Sequence, residues 1–475
     1  MENTWQPGLT TQREEVRDVE VPVEGKFPEW LEGTFIRNGP GQFEVGDTPL
    51  EHWFDALAML CSLRIEDGQV SYTNRFLRSE DFRAARDKQT VRSNLPGTPA
   101  DGSLFGRFSK AITGDFPDNA AIGVLRLQDT VYAVTEGPIG FEIDSETLAT
   151  SGERDLTAGL DSDLTLGHTH VADGVQWGLG VSYGNESVYT LFCRAGAGTP
   201  EPVSRLVFDH HPPYIHAFAL TEQYAVIPES QVGINFRRLL VKAPFGGTFL
   251  DATRQRDSPP RFHVVDRSTG ERVAAVEADP FFIYHFANAY EDGDSIVVDC
   301  VAFPDGAAIT GLTVANLRDD EPDLPCGDFV RFRLPLAGGD AERKLLFRGP
   351  VEFPTINYQQ YNGRQYQYAY LAATDYGGLP TAITKVDLDR PTAYRWSEEG
   401  LHPGEAIFVP APSQTAEDDG VLLSLAVDGR AGRSVFLCLD ASTLTELARA
   451  QLPHQVPYGF HGQFYATEDP VRSMA

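Results

Sequence analysis

Short stretches of alternating apolar and polar residues, broken by Asp-Gly pairs, run through most of this chain and leave little room for helices. Leu63 and Ile65 alternate with polar neighbours, Asp67-Gly68 follows, and Val70 and Tyr72 resume the alternation. Side chains of a strand point to opposite faces with a period of two, so this pattern specifies a half-buried hairpin closed by a tight turn. Comparable apolar runs occupy 131–135, 296–302, 421–427 and 435–439, and Asp-Gly turns recur at 173–174, 292–293, 419–420 and 428–429. Helical periodicity is confined to 79–87 and 104–112.

Many short strands in a chain of 475 residues must shelter their sheet edges. Radial blades do so at this size better than two sandwiches, and the 44 glycines and 32 prolines mark no linker between domains. The expected fold is all-β, a propeller forming a single domain over 1–475. About seven blades of roughly 65 residues each fit the length.

Composition restricts partners. The net charge is −29, with six Lys against 33 Arg and 68 acidic residues. Such a surface repels nucleic acid and repels itself unless counterions screen it, which suits a halophilic, salt-rich cytoplasm. No apolar stretch reaches the roughly 18 residues that span a bilayer, and the opening Met1 to Pro7 lacks signal-peptide character. The expected location is cytoplasmic. Five cysteines without a Cys-x-x-Cys pair are read as buried small hydrophobes, not as disulfides or a zinc site.

Four histidines stand in apolar, strand-like settings with no carboxylate beside them: His168, His216, His285 and His461. A lone histidine among aromatics is commonly a hydrogen-bonded core residue. Four of them suit a metal, since imidazole binds iron, copper or zinc and leaves the ion's charge free to polarise a small ligand such as dioxygen. Gaps of 48, 69 and 176 residues mean that only the tertiary fold brings them together, on the axis of something closed and roughly symmetric. Glu136, Glu352 and Glu405 lie in similarly apolar runs, where each is either a strand-end surface residue or an acceptor for the second N–H of a metal-bound imidazole.

The run Phe35-Ile36-Arg37-Asn38-Gly39-Pro40-Gly41, with His52-Trp53-Phe54-Asp55 after it, resembles the N-terminal signature of the carotenoid cleavage oxygenase family. Asn288-Ala289-Tyr290-Glu291-Asp292, Glu352-Phe353-Pro354-Thr355-Ile356-Asn357-Tyr358 and Phe460-His461-Gly462 extend the resemblance in order from about residue 30 to 464, in the branch of animal β-carotene oxygenases and the retinal pigment epithelium isomerase. The resemblance implies a seven-bladed β-propeller with a small helical and loop cap over the metal face. It implies that His168, His216, His285 and His461 bind Fe(2+). Glu136, Glu352 and Glu405 match the partners of His216, His285 and His461; His168 has no such partner, and His170 is not a ligand. Thr135 matches a position whose methyl crowds the metal.

Spacing sets other readings of His168-Thr169-His170 aside. A metallo-β-lactamase needs an Asp two residues after the second His, whereas Asp173 comes three after. An amidohydrolase needs strong helices between strands.

The implied chemistry adds both atoms of dioxygen across one C=C bond of a carotenoid or apocarotenoid, giving two carbonyl products, with β-carotene to retinal as the favoured case. Cleavage of stilbene-type phenylpropanoids, retinyl ester isomerohydrolysis and a catalytically inert binding propeller remain open. Tyr214, Tyr284 and Phe460 adjoin the histidines and are expected to line the tunnel of a hydrophobic polyene. The segments 104–108 and 236–241 mix apolar and basic residues, as peripheral membrane contact requires, although 96–104 lacks the Pro-Asp-Pro-Cys-Lys stretch of the animal relatives.

Overall fold

The computed structural model describes residues 3–102, 117–172, 174–184, 186–209, 211–374, 379–390 and 392–467. Seven antiparallel sheets of four or five strands follow one another along the chain, forming a seven-bladed β-propeller. Most are simple meanders, as in Phe282–Asp292, Ser295–Phe303, Asp328–Pro335 and Glu342–Phe347 of the fifth sheet. Both chain ends close the ring. Gly462–Ala466 pairs with Gly33–Gln42 in the first sheet, and Val23–Gly25 pairs with Glu446–Gln451 in the seventh.

The hairpin at Asp67-Gly68 forms as its sequence specifies. Leu63 faces Tyr72 and Ile65 faces Val70, and both turn residues have positive φ, +50° and +73°. A turn of this hand matches the right-handed twist of its strands, and Gly68 enters the left-handed region without steric cost. Gly293 turns a hairpin as expected. Asp419-Gly420 does not. A longer loop, 411–419, joins Leu401–Pro410 to Gly420–Asp428, and glycine is needed at 420 because a Cβ there would lie 2.4 Å from the Val409 carbonyl.

The helix Glu80–Lys88 covers the first helical prediction, with Ser79 capping it by accepting the Phe82 amide. The segment 104–112 lies outside the described residues. Short helices enter the connections of three sheets: Phe236–Lys242 and Phe249–Ala252 in the fourth, Ala307–Thr310 and Val314–Leu317 in the fifth, and Tyr358–Tyr361 in the sixth. Adjacent sheets pack through aromatic clusters, such as Phe262, Phe281 and Phe332 between the fourth and fifth.

Cys61, Cys300 and Cys438 are buried as expected, and all five cysteines are free thiols. Cys193 is half-buried and Cys326 is exposed, which corrects the uniform burial expected of them. Cys326 sits in the loop between Val314–Leu317 and Asp328–Pro335, outside the strands that bury Cys61, Cys300 and Cys438.

Candidate metal centre

Each of the seven sheets sends one residue to a common centre. His461 comes from the first, Glu136 from the second, His168 from the third, His216 from the fourth, His285 from the fifth, Glu352 from the sixth and Glu405 from the seventh. Three of these residues sit where the ladder is broken. The register jumps between Ile283 and Phe286 around His285, between Glu352 and Thr355, and between Pro403 and Ala406 around Glu405. A bulge re-aims a side chain out of the strand's alternation, and here it turns these groups toward one another.

His461 is aimed by a backbone clasp. Its amide donates to the Ile122 carbonyl and its carbonyl accepts from the Asn38 amide, while the Phe460 amide donates to the Asn38 carbonyl. The Asn38 side chain in turn donates to the carbonyls of Ala120 and Gly123 at 2.8 and 3.0 Å. Residues 38–39 and 459–461 run so close that a Cβ on Gly39 would lie 2.4 Å from the Gly459 Cα. The Asn38-Gly39 signature is thus a fastener that places a histidine.

The four imidazoles bring one nitrogen each to within 4.8 Å of the others. Three rings are braced from behind. Nδ1 of His216 bonds Glu136 at 2.5 Å, Nδ1 of His285 bonds Glu352 at 2.7 Å, and Nδ1 of His461 bonds Glu405 at 2.8 Å. On the open side, Nε2 of His168 lies 3.0 Å from Nε2 of His216, and Nε2 of His461 lies 3.0 Å from Nε2 of His285. The pairings match those the resemblance implies, and His168 meets no carboxylate among the described residues. His170 stands apart, with Nδ1 on the Tyr358 hydroxyl and Nε2 on the Phe218 carbonyl, each at 2.8 Å.

Burial, then the neighbouring imidazoles, holds His285 well below the usual histidine range; His168 is lowered in the same way. Burial pushes the Glu352 carboxyl up to about 7, against the Phe353 amide that donates to it. When ionised, the carboxyls of Glu352 and Glu405 can only accept, so Nδ1 of His285 and of His461 is the donor and Nε2 is the atom each ring turns to the open side. Two bare lone pairs facing each other at 3.0 Å repel unless a cation lies between them. The donor set therefore fits a metal ion of the kind that imidazole favours.

A cavity of about 600 Å³ reaches His216, His285 and His461 and is walled mainly by apolar side chains. Tyr214, Tyr284 and Phe460 line it, as does Thr135. Tyr214 does more than line the wall, because its hydroxyl donates to Glu136 at 2.9 Å. Helical insertions supply the roof, with Leu239, Phe249, Ala308 and Leu312 among the lining residues. Sequence reasoning missed Phe353, whose ring stacks on His285 with centroids 5.4 Å apart, and Trp53 and Phe54, which pack on Phe460. Their positions inside the signature runs around Asp55 and Glu352 were the available signal.

The family model for RPE65, the retinal pigment epithelial membrane protein, matches residues 9–466. The chain belongs to the RPE65 family of carotenoid oxygenases. Among members of the family, the carotenoid isomerooxygenase of Galleria mellonella is 33% identical, covering 96% of this chain and 95% of its own length. The chloroplastic carotenoid cleavage dioxygenase 8 homolog A of Oryza sativa subsp. japonica is 36% identical over 97% of this chain and 88% of its own. The β,β-carotene 15,15′-dioxygenase of Mus musculus is 30% identical over 96% and 91%. Solved structures of the Synechocystis apocarotenoid oxygenase superpose over 98% of both chains at 27% identity, with TM-scores of 0.87 for one variant and 0.86 for a cobalt-substituted form.

Proposed function

We propose that the four histidines hold ferrous iron and that the protein cleaves one C=C bond of a carotenoid or apocarotenoid with dioxygen, giving two carbonyl products. The observation that carries this reading is the juxtaposition of four converging imidazoles, three braced by carboxylates, with an apolar cavity of about 600 Å³. The relatives named as carotenoid-cleaving dioxygenases support the substrate class.

Ferrous iron bound by His168, His216, His285 and His461 supplies a site for dioxygen activation. The chain's own residues supply the rest. Glu136, Glu352 and Glu405 keep the Nδ1 protons in place and so keep Nε2 available. Aromatic side chains including Tyr284, Phe353 and Phe460 hold a flat polyene and exclude water. Thr135 lines the same cavity, where its methyl group would narrow the space left open beside a bound metal. Glu136 and Glu352, the two glutamates that line the cavity, both accept bonds from histidine, so no step here calls on a carboxylate to activate water.

A substrate dissolved in lipid needs an entrance at a membrane, and we place peripheral contact at the helical insertion of the fourth sheet. Val241 and Phe245 are 68% and 73% exposed there, while Leu239 and Phe249 of the same insertion line the cavity. Exposed apolar groups of this size commonly mark contact surfaces. The segment 104–108 lies outside the described residues. No described helix is long and apolar enough to cross a membrane.

Oxygen uptake by the iron-loaded protein with β-carotene, an apocarotenal, a stilbene and a retinyl ester tests the reading. Uptake with a polyene and formation of aldehydes is expected. Uptake with the stilbene alone, or retinol formation without uptake, contradicts it.

A further inference from the structure

Of the four histidines, His168 is the one with no carboxylate behind it among the described residues, so something else must aim its ring. Two residues on, Nε2 of His170 lies 2.8 Å from the carbonyl of Phe218, which is itself two residues after His216. A carbonyl can only accept, so Nε2 carries the proton, and Nδ1 of the neutral ring accepts the Tyr358 hydroxyl at 2.8 Å. The Tyr358 and His170 rings lie nearly parallel, 15° apart, and the edge of His170 meets the Phe218 ring at 4.9 Å between centroids.

We propose that His170 and Tyr358 are positioning residues for the metal centre, taking for His168 the part that carboxylates take for the other three. The bonds tie the segment bearing His168, in the third sheet, to the segment following His216, in the fourth, and to the start of Tyr358–Tyr361, in the sixth. The brace acts on backbone. It fixes the loop from which His168 projects and couples that loop to the one carrying His216, whose Nε2 is 3.0 Å away. Tyr358 closes the same run of residues that contains Glu352, so one connection of the sixth sheet supports two histidines by different means.

The inference rests on the reading that the four histidines hold iron, and the test separates the two. Full-length iron-loaded protein is mixed with excess ferrous chelator and iron release is followed in wild type, Tyr358→Phe, His170→Phe and the double variant. Near-infrared circular dichroism of the bound ferrous ion and the melting temperature are recorded alongside. Release is expected to quicken about 10-fold in Tyr358→Phe and up to about 100-fold in His170→Phe, the range seen when a ligand's support is removed. The double variant should release iron at least as fast as His170→Phe, because the Tyr358 hydroxyl also takes the Val171 backbone amide in the segment that follows His168. The ferrous bands should shift in Tyr358→Phe while its melting temperature stays near that of wild type. Wild-type release and bands in both single variants overturn the inference and leave the metal reading standing. Faster release that only tracks a fall in melting temperature, with unchanged bands, assigns the pair to folding and overturns it as well. A wild-type protein that binds no iron overturns the reading beneath it.

Discussion

The Nε2 atoms of His285 and His461 lie 3.0 Å apart while the Nδ1 of each ring is bonded to its own carboxylate, Glu352 and Glu405. Each carboxylate also accepts a backbone amide, from Phe353 and Gly462 respectively, so the acids are oriented as firmly as the rings they orient. The two histidines come from different sheets, and the paired acids bind them to two more.

Glu352→Gln should retain the fold, because the amide matches the acid in size and its oxygen can still accept from His285 and Phe353. It removes the negative charge that strengthens the imidazole as a ligand, so iron affinity or turnover should fall by about 10- to 100-fold. Metal content and steady-state rates check this; unchanged values in both would remove Glu352 from the centre.

Gly39→Ala tests the fastener behind His461. The added methyl would meet backbone, not a flexible side-chain end, at 2.4 Å from the Gly459 Cα. A loss of about 1–3 kcal/mol in stability is expected, with iron affinity falling alongside it. A variant with the wild-type melting temperature and full iron would show that the segment around His461 is held by other means.

Much of this architecture is legible in the residues. Period-two alternation around Asp67-Gly68 gives the hairpin, and the four histidines with Glu136, Glu352 and Glu405 stand out as polar groups in apolar runs. The bulges do not. The run Phe281-Phe282-Ile283-Tyr284 before His285 is buried on both faces of its strand, so alternation is absent and its interruption leaves no mark. The exposure of Cys326 and the length of the loop before Gly420 depend equally on packing across sheets, which local pattern does not carry. The bonds of His170 leave no local mark either, since its partners Phe218 and Tyr358 are 48 and 188 residues away.

Burial pushes the Asp55 carboxyl up to about 6 from an ordinary 3.8, against the hydrogen bonds it accepts from Thr98, Gly97 and His52. The folded protein then holds this proton more tightly than the unfolded chain does. The resulting stability is fully present below about pH 4 and is lost as pH rises through 6. Urea unfolding at pH 5 and pH 7 should show wild type losing about 1 kcal/mol relative to Asp55→Asn over that interval. Equal pH dependence in both proteins contradicts the assignment.

The charge of −29 makes a separate prediction. Screening relieves the self-repulsion of such a surface, so melting temperature should climb from low to molar KCl. A flat or falling curve would refute adaptation to high salt and leave the enzyme reading intact.

Cleavage under ¹⁸O-labelled dioxygen in unlabelled water tests the central claim most directly. If dioxygen is added across a C=C bond of a polyene held beside the four histidines, each turnover consumes one dioxygen and both fragments carry label. The products must be trapped rapidly, because aldehydes exchange oxygen with water through their hydrates. Label in both fragments, after correction for exchange, is the predicted result. Label in one fragment only, or product formed without oxygen uptake, would contradict the account.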